Sequence, residues 1–129
     1  MRINSIDHIA INVRNIQKSR DFYGRVLGFK PLQSVDCGEF IIHYFQSPHS
    51  SRLELFEYMT GQPDLPRVES AVGLRHLAFE VTDVAAHEQV LRTEGVDIIL
   101  STCDLPNLGA RVLLFLDPNG VTLEFCEKL

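Results

Sequence analysis

The chain has 129 residues, a formal net charge of −5, 45% hydrophobic residues and 22% charged residues. This composition is typical of one globular domain, and no lysine and arginine cluster indicates binding to nucleic acid or to an anionic membrane. No stretch approaches the ~18 apolar residues of a membrane span. The three cysteines form no C-x-x-C pattern, so we expect a cytoplasmic protein with a small-molecule partner.

The first half of the chain is predicted to fold as β-α-β-β-β. Apolar and polar side chains alternate over residues 6–13, which predicts a strand. A helix is expected from a cap at Asn15 to a stop at Gly28. Three further strands are predicted over 30–36, 39–47 and 52–58.

The second half repeats this order. A strand is predicted over 74–82, then a helix over 84–94 that is capped by Asp83 and closed by Gly95. Three strands follow, near 97–101, over 110–116 and over 121–127. The stretch 101–109 is expected to be an irregular loop, and "DPNG" before the last strand predicts a type I turn.

The two halves of the chain can be aligned at two offsets in residue number. His8 falls on His76 at an offset of 68, and "FQSPHSSRLELFE" falls on "FLDPNGVTLEFCE" at an offset of 70. An internal repeat of this size dictates the architecture. We expect one domain over 1–129, made of repeat units 1–58 and 73–129 and a connector 59–72. Its class is α+β, with a concave, partly open eight-stranded mixed sheet.

Four polar residues are expected on the concave face of this sheet. In the first strand of each unit the odd-numbered apolar residues should pack beneath the helix, which leaves His8 and His76 on the opposite face. The same alternation in the last strands places Glu54 and Glu124 there. A single strand histidine is usually structural, but this pattern recurs in pairs.

These residue types favour a metal site. Two carboxylates on a concave sheet are costly unless a cation neutralises them. Two imidazole nitrogens and two carboxylate oxygens leave open coordination positions and suit Ni, Co, Mn or Fe at least as well as Zn. We therefore expect one divalent ion per site, with a catalytic role.

Other polar residues are weaker candidates. His43 in a middle strand and His49 in a turn are expected to be structural or exposed. Arg111 could meet an anionic substrate beside the cavity, although an ion pair at the sheet edge is the alternative. Cys126 shares the parity of Glu124 and could line the pocket. The chain has no phosphate loop and no nucleophile elbow, so nucleotide hydrolysis and serine-type acyl transfer have no motif to support them.

The paired units and the segments "DHIAINV", "SRDFYGRVLGF", "GLRHLAFEV" and "DPNGVTLEF" resemble the vicinal oxygen chelate superfamily. That superfamily includes glyoxalase I, methylmalonyl-CoA epimerase, extradiol dioxygenases and bleomycin resistance proteins. The likeness covers essentially the whole chain. It implies a homodimer and ligand positions on the first and last strands of each unit.

The resemblance is nearest to bacterial glyoxalase I at the ligand positions. His8, Glu54, His76 and Glu124 match its His-Glu-His-Glu set. Glyoxalase I enzymes usually have Arg four residues after the first ligand and Asn four after the second, both contacting glutathione. This chain has Asn12 and Tyr58 at those positions, and we expect them to contact the substrate. The resemblance therefore implies the metal site of glyoxalase I but not its glutathione site.

These observations predict a divalent-metal-dependent lyase or isomerase that moves a proton alpha to a carbonyl through a metal-bound enediolate. The substrate would be a small hydroxycarbonyl or a thiol adduct. Glu124 is the expected base, with Glu54 as its symmetry-related alternative. An Fe(II)-dependent extradiol dioxygenase, an epimerase and a non-catalytic ligand-binding resistance protein remain the alternatives.

Overall fold

The computed structural model describes residues 1–48, 51–64, 66 and 68–129. His49, expected to be structural or exposed, lies outside the described residues. The chain divides into two compact units, Met1–Asp64 and Leu65–Leu129, and the division falls within the predicted connector. Among the described residues, no helix is long and apolar enough to cross a membrane.

The first unit follows the predicted order. Its elements are β1 (His8–Val13), α1 (Ile16–Arg20) with a following π-helical turn (Asp21–Val26), β2 (Lys30–Asp36), β3 (Phe40–Gln46) and β4 (Arg52–Tyr58). The strands form a mixed sheet in the order β1-β4-β3-β2, in which β1 is parallel to β4 and the other pairs are antiparallel.

The predicted helix over 15–28 is therefore an α-helix only in its first part. Asn15 caps it as expected, because its side-chain oxygen accepts a hydrogen bond from the Lys18 amide at 3.0 Å. The later turns are wider, and the Leu27 amide bonds to the Phe22 carbonyl at 2.9 Å. Burial of Phe22 and Tyr23 against the sheet favours this wider winding, because tertiary packing overrides local helical preference.

The second unit has the same topology. Its elements are β5 (Leu77–Glu80), α2 (Val84–Thr93), β6 (Ile98–Leu105), a 3₁₀ turn (Pro106–Leu108), β7 (Ala110–Leu116) and β8 (Thr122–Lys128). The strands form a mixed sheet in the order β5-β8-β7-β6, with β5 parallel to β8. The α+β class and the two β-α-β-β-β repeats are confirmed, and the strands divide into two four-stranded sheets.

Side-chain alternation places the core of each unit on one face of its sheet. In the first unit Phe45 and Leu53 lie opposite each other on β3 and β4 and are buried, and the adjacent buried Ile11 pairs with Leu55. In the second unit Phe115 and Leu123 form the matching pair and are fully buried. Each helix covers this apolar face, so the even-numbered residues of β1 and β4 point the other way.

Two predicted boundaries in the second unit are wrong. The strand predicted over 74–82 forms only from Leu77 to Glu80. Leu74 is 91% exposed, so the apolar alternation before Leu77 does not mark a buried strand face. The loop predicted over 101–109 is instead strand as far as Leu105, followed by the 3₁₀ turn. Its polar residues lie in an edge strand with shifts of register, where polar side chains reach solvent.

The cap of α2 and the turn before β8 form as predicted. Asp83 adopts a left-handed backbone with φ of 56° and accepts a hydrogen bond from the Ala86 amide at 3.0 Å. In the "DPNG" turn the Gly120 amide bonds to the Asp117 carbonyl at 3.1 Å. The buried Asp117 carboxylate accepts from the amides of Asn119 and Val121, each at 2.8 Å.

Candidate functional site

The first unit brings His8 and Glu54 together. His8 begins β1, and Glu54 lies on β4, opposite Ala10 in the parallel pairing. Because His8 and Ala10 are two residues apart, both point to the face of Glu54. The His8 Nδ1 and Glu54 Oε1 atoms are 3.7 Å apart, and the Glu54 side chain is only 8% exposed.

Two charged residues surround this pair. The Asp7 carboxylate is 2.8 Å from His8 Nδ1, and it accepts a hydrogen bond from Arg52 Nη2 at 3.2 Å. Arg52 also lies 3.8 Å from Glu54 Oε1. The hydrogen bonds from His8 and Arg52 lower the pKa of Asp7, so this carboxylate stays ionised and holds the imidazole by one nitrogen.

The second unit forms a simpler pair. His76 lies directly before β5, and Glu124 lies on β8 opposite Ala78. The His76 Nε2 and Glu124 Oε2 atoms are 3.3 Å apart, and the Glu124 side chain is 16% exposed. The residue before His76 is Arg75, whose guanidinium bonds to the Glu69 carboxylate at 2.8 Å and to the Glu69 carbonyl at 3.0 Å.

The chemistry of these donors fits a divalent cation. The contacts of Glu54 with His8 and Arg52 are 3.7 and 3.8 Å, which is longer than a hydrogen bond. A cation would offset the cost of holding a carboxylate of such low exposure away from water. Within the part of the chain that the structure describes, no group of three or more histidine, cysteine, aspartate or glutamate side chains could hold a metal ion. Each unit has one pair of a histidine and a glutamate in contact at these positions.

The residues expected to contact substrate differ in their surroundings. Asn12 lies opposite Phe56 and is exposed, and Tyr58 lies opposite Phe40 with their ring centroids 5.3 Å apart. Both share the face of Glu54 by alternation. Tyr58 and Phe40 therefore give this end of the sheet an aromatic surface.

Arg111 requires a correction. It pairs with Glu127 across β7 and β8, whereas Glu124 pairs with Leu114, so Arg111 and Glu124 lie on opposite faces of their sheet. Its guanidinium donates to the Asp104 carboxylate at 2.6 and 3.2 Å. Arg111 therefore takes part in the ion pair that was its alternative role, and it does not lie beside Glu124.

Sequence reasoning gave no role to Asp7. The signal was present, because a carboxylate directly precedes the first histidine in "DHIAINV". Carboxylates that bond the second nitrogen of a histidine commonly orient metal ligands. Neighbouring residues on a strand point to opposite faces, however, so the sequence alone did not predict a contact between Asp7 and His8.

Comparison with known proteins supports the same family. The model of the Glyoxalase/Bleomycin resistance protein/Dioxygenase superfamily matches residues 5–125. The chain belongs to this superfamily. It is 34% identical to YwkD of Bacillus subtilis, described as uncharacterized, over 99% of this chain and 100% of that protein.

Two further relatives of this superfamily member bear on activity and fold. A lactoylglutathione lyase of Neisseria meningitidis is 31% identical, over 94% of this chain and 88% of that enzyme. The crystal structure of a glyoxalase family protein from Enterococcus faecalis is 32% identical, with a TM-score of 0.84, and covers 98% of this chain and 100% of that one. The superfamily thus includes a lyase that resembles the chain along nearly its whole length.

Proposed function

We propose that the protein is a divalent-metal-dependent, glyoxalase-like lyase or isomerase that moves a proton alpha to a carbonyl. Its substrate would be a small hydroxycarbonyl or a thiol adduct. The observation that carries this proposal is the recurrence, in each unit, of a histidine nitrogen within 3.7 Å of a glutamate oxygen, between the first and last strands. The similarity to a lactoylglutathione lyase supports it.

We propose that His8, Glu54, His76 and Glu124 are the ligands of one divalent ion, of Ni, Co, Zn, Mn or Fe. Imidazole and carboxylate donors suit these metals, and four protein ligands leave two positions of an octahedral shell for substrate or water. A bound ion would supply Lewis acidity at the substrate carbonyl. The site would act in a homodimer, with donor pairs from one chain or from two copies.

The surroundings of the two glutamates support different roles for them. Arg52 lies 3.8 Å from Glu54, whose side chain is only 8% exposed, so little of this carboxylate is open to a substrate. Glu124 has His76 at 3.3 Å and is twice as exposed as Glu54, at 16% against 8%. Glu124 is therefore the better proton carrier, and Glu54 the more permanent ligand.

In the proposed catalytic step, Glu124 moves the proton and His8 stays a fixed ligand. The Glu124 carboxylate takes the proton from the carbon next to the carbonyl and returns it to the neighbouring carbon in an isomerisation. His8 keeps its orientation through the bond to Asp7.

The test is metal analysis joined to an activity screen. The protein is purified, analysed for metals, stripped with a chelator and reloaded separately with each of the five ions. Activity is measured with methylglyoxal plus glutathione, with methylglyoxal plus other thiols, and with free hydroxycarbonyls. We expect about one ion per donor set and activity that is lost on stripping and restored on loading. Failure of all five ions to bind would refute the proposal.

A further inference from the structure

A second cluster of reactive side chains lies on the helix-covered face of the first sheet. Ser34 on β2 pairs with His43 on β3, and Glu57 on β4 follows along the same face. The Ser34 Oγ atom is 2.8 Å from His43 Nδ1, and His43 Nε2 is 2.9 Å from Glu57 Oε2. Glu57 and Glu54 are three residues apart on β4 and point to opposite faces, so this cluster is separate from the proposed metal ligands.

Arg20 fixes the proton arrangement of the cluster. Its Nη1 atom is 3.2 Å from His43 Nδ1, and a guanidinium can only donate a hydrogen bond. His43 Nδ1 must therefore accept, so Nε2 carries the ring proton and donates it to Glu57. The same unprotonated Nδ1 is the atom that the Ser34 hydroxyl reaches.

The hydroxyl, the imidazole and the carboxylate are thus linked in the same sequence as in enzymes that activate a serine. A carboxylate holds the imidazole in one tautomer, and the opposite ring nitrogen carries no proton and lies within hydrogen-bond distance of the hydroxyl. The two nitrogens exchange the positions they have in serine proteases, but their roles in proton transfer are the same. The His43 side chain is 12% exposed and Glu57 is 33% exposed, whereas Ser34 is open to solvent. The base is thus largely shielded and the nucleophile is accessible.

The strand geometry presents Ser34 outward. The pairing of β2 with β3 shifts its register between Pro31 and Ser34. Such irregularities re-aim side chains and occur often beside active sites. Ser34 lies on a strand at the end of its sheet, where a small molecule can approach the hydroxyl.

The second unit links the matching strands of its sheet without a serine or a histidine. The corresponding polar line across its sheet is Asp104, Arg111 and Glu127, with Arg111 bonded to Asp104 at 2.6 Å and 4.0 Å from Glu127. At the offset of 70, Leu113 stands where the first unit has His43. The second unit thus links its strands through charged side chains. The first unit has a hydroxyl, an imidazole and a carboxylate in contact at these positions.

We propose that Ser34, His43 and Glu57 form a nucleophilic serine site that accepts acyl groups from small activated esters. His43 Nδ1 takes the proton of Ser34 as the hydroxyl oxygen attacks the ester carbonyl, the carbon–oxygen bond to the leaving alkoxide breaks, and that proton passes to the alkoxide. Water, activated by the same nitrogen, hydrolyses the acyl-serine. The Arg20 guanidinium leaves Nδ1 as that nitrogen takes the proton, and it donates instead to the negative charge that develops on the carbonyl oxygen.

The test combines covalent labelling with ester hydrolysis. The whole protein is treated with a fluorophosphonate, and the labelled residue is located by peptide mass spectrometry. Hydrolysis of p-nitrophenyl acetate is followed in parallel. The variants are Ser34→Ala, His43→Asn and Glu57→Gln. Ser51→Ala is the matched control, because the Ser51 hydroxyl bonds to the Ile6 carbonyl at 3.2 Å.

We expect the label on Ser34, and a loss of hydrolysis of at least about 100-fold in Ser34→Ala with wild-type thermal stability. His43→Asn should lose a similar factor, Glu57→Gln should lower kcat more than it raises KM, and Ser51→Ala should match wild type. Hydrolysis should survive metal stripping, which separates this site from the proposed metal chemistry. No labelling of Ser34, or equal hydrolysis in folded Ser34→Ala, would overturn the proposal.

Discussion

The two units share a topology but place different charges around equivalent histidine–glutamate pairs. In the first unit Asp7 and Arg52 surround the pair, with Asp7 2.8 Å from His8 and Arg52 3.8 Å from Glu54. In the second, Arg75 takes the position before the histidine and is engaged by Glu69. The comparison shows that duplication of a strand order repeats the donor atoms without repeating their environment.

This difference separates a less exposed glutamate from a more exposed one. Glu54 is 8% exposed and lies next to a cation, whereas Glu124 is 16% exposed and has a histidine neighbour at 3.3 Å. The more exposed carboxylate has the better access to a substrate proton. The environment, and not the residue type, therefore distinguishes the two glutamates.

The largest expected effect comes from exchanging the two carboxylates for amides. Glu124→Gln should lower kcat about 10²- to 10⁴-fold at saturating metal, because it removes the base. Glu54→Gln should act mainly on metal affinity, and excess metal should restore much of its turnover. Steady-state kinetics with methylglyoxal plus a thiol, over a metal titration, measures both. A larger loss of kcat in Glu54→Gln than in Glu124→Gln at saturating metal would show that Glu54, and not Glu124, is the base.

A smaller effect is expected at the residue before each histidine. Asp7→Asn should weaken metal binding about 10- to 100-fold, because it loosens the imidazole of His8 without removing a ligand. Arg75→Gln is the matched change in the second unit and should leave the affinity unchanged. Calorimetric titration with Ni or Co measures this directly. Equal losses of metal affinity in the two variants would show that the difference in charge between the two units does not affect metal binding.

The smallest expected effect is on stability and comes from a residue of α2. At the offset of 68, Arg20 of the first unit corresponds to Glu88 of the second. Hydrogen bonds from Thr102, and from Arg92, lower the pKa of Glu88 to about 2, and the Thr102 amide bond of 2.8 Å ties α2 to β6. Because the pKa is lowered in the folded state, this stabilisation is complete above the unfolded value of 4.5 and is lost as the pH falls towards 2.

Glu88→Gln should therefore lower the free energy of unfolding by about 1–2 kcal/mol at pH 7 and by less at pH 3. Urea denaturation at the two pH values measures the difference. Glu94→Gln, a change at the end of the same helix, serves as the control for loss of one negative charge. A loss for Glu88→Gln that is independent of pH would contradict the assigned pKa.

Much of the fold was predictable from periodicity. Alternation gave the strands of both units, and the caps at Asn15 and Asp83 formed as expected. The boundaries of β5 and β6 were not predictable, because an edge strand can carry polar residues and an apolar residue such as Leu74 can be exposed. The alternation of apolar and polar residues predicted the face of the sheet on which His8 and Glu54 lie. It did not predict the face of Arg111, because that depends on how β7 pairs with β8.

The sequence by itself determined the duplication and the matching positions of His8 with His76 and of Glu54 with Glu124, because a repeat and a two-residue alternation are properties of the chain. Only the tertiary structure placed Asp7 and Arg52 around the first pair and joined Ser34, His43 and Glu57. Those three come from three strands and meet a guanidinium from α1. Such contacts depend on strand register, on shifts within it and on helix packing, which are set by partners distant in sequence.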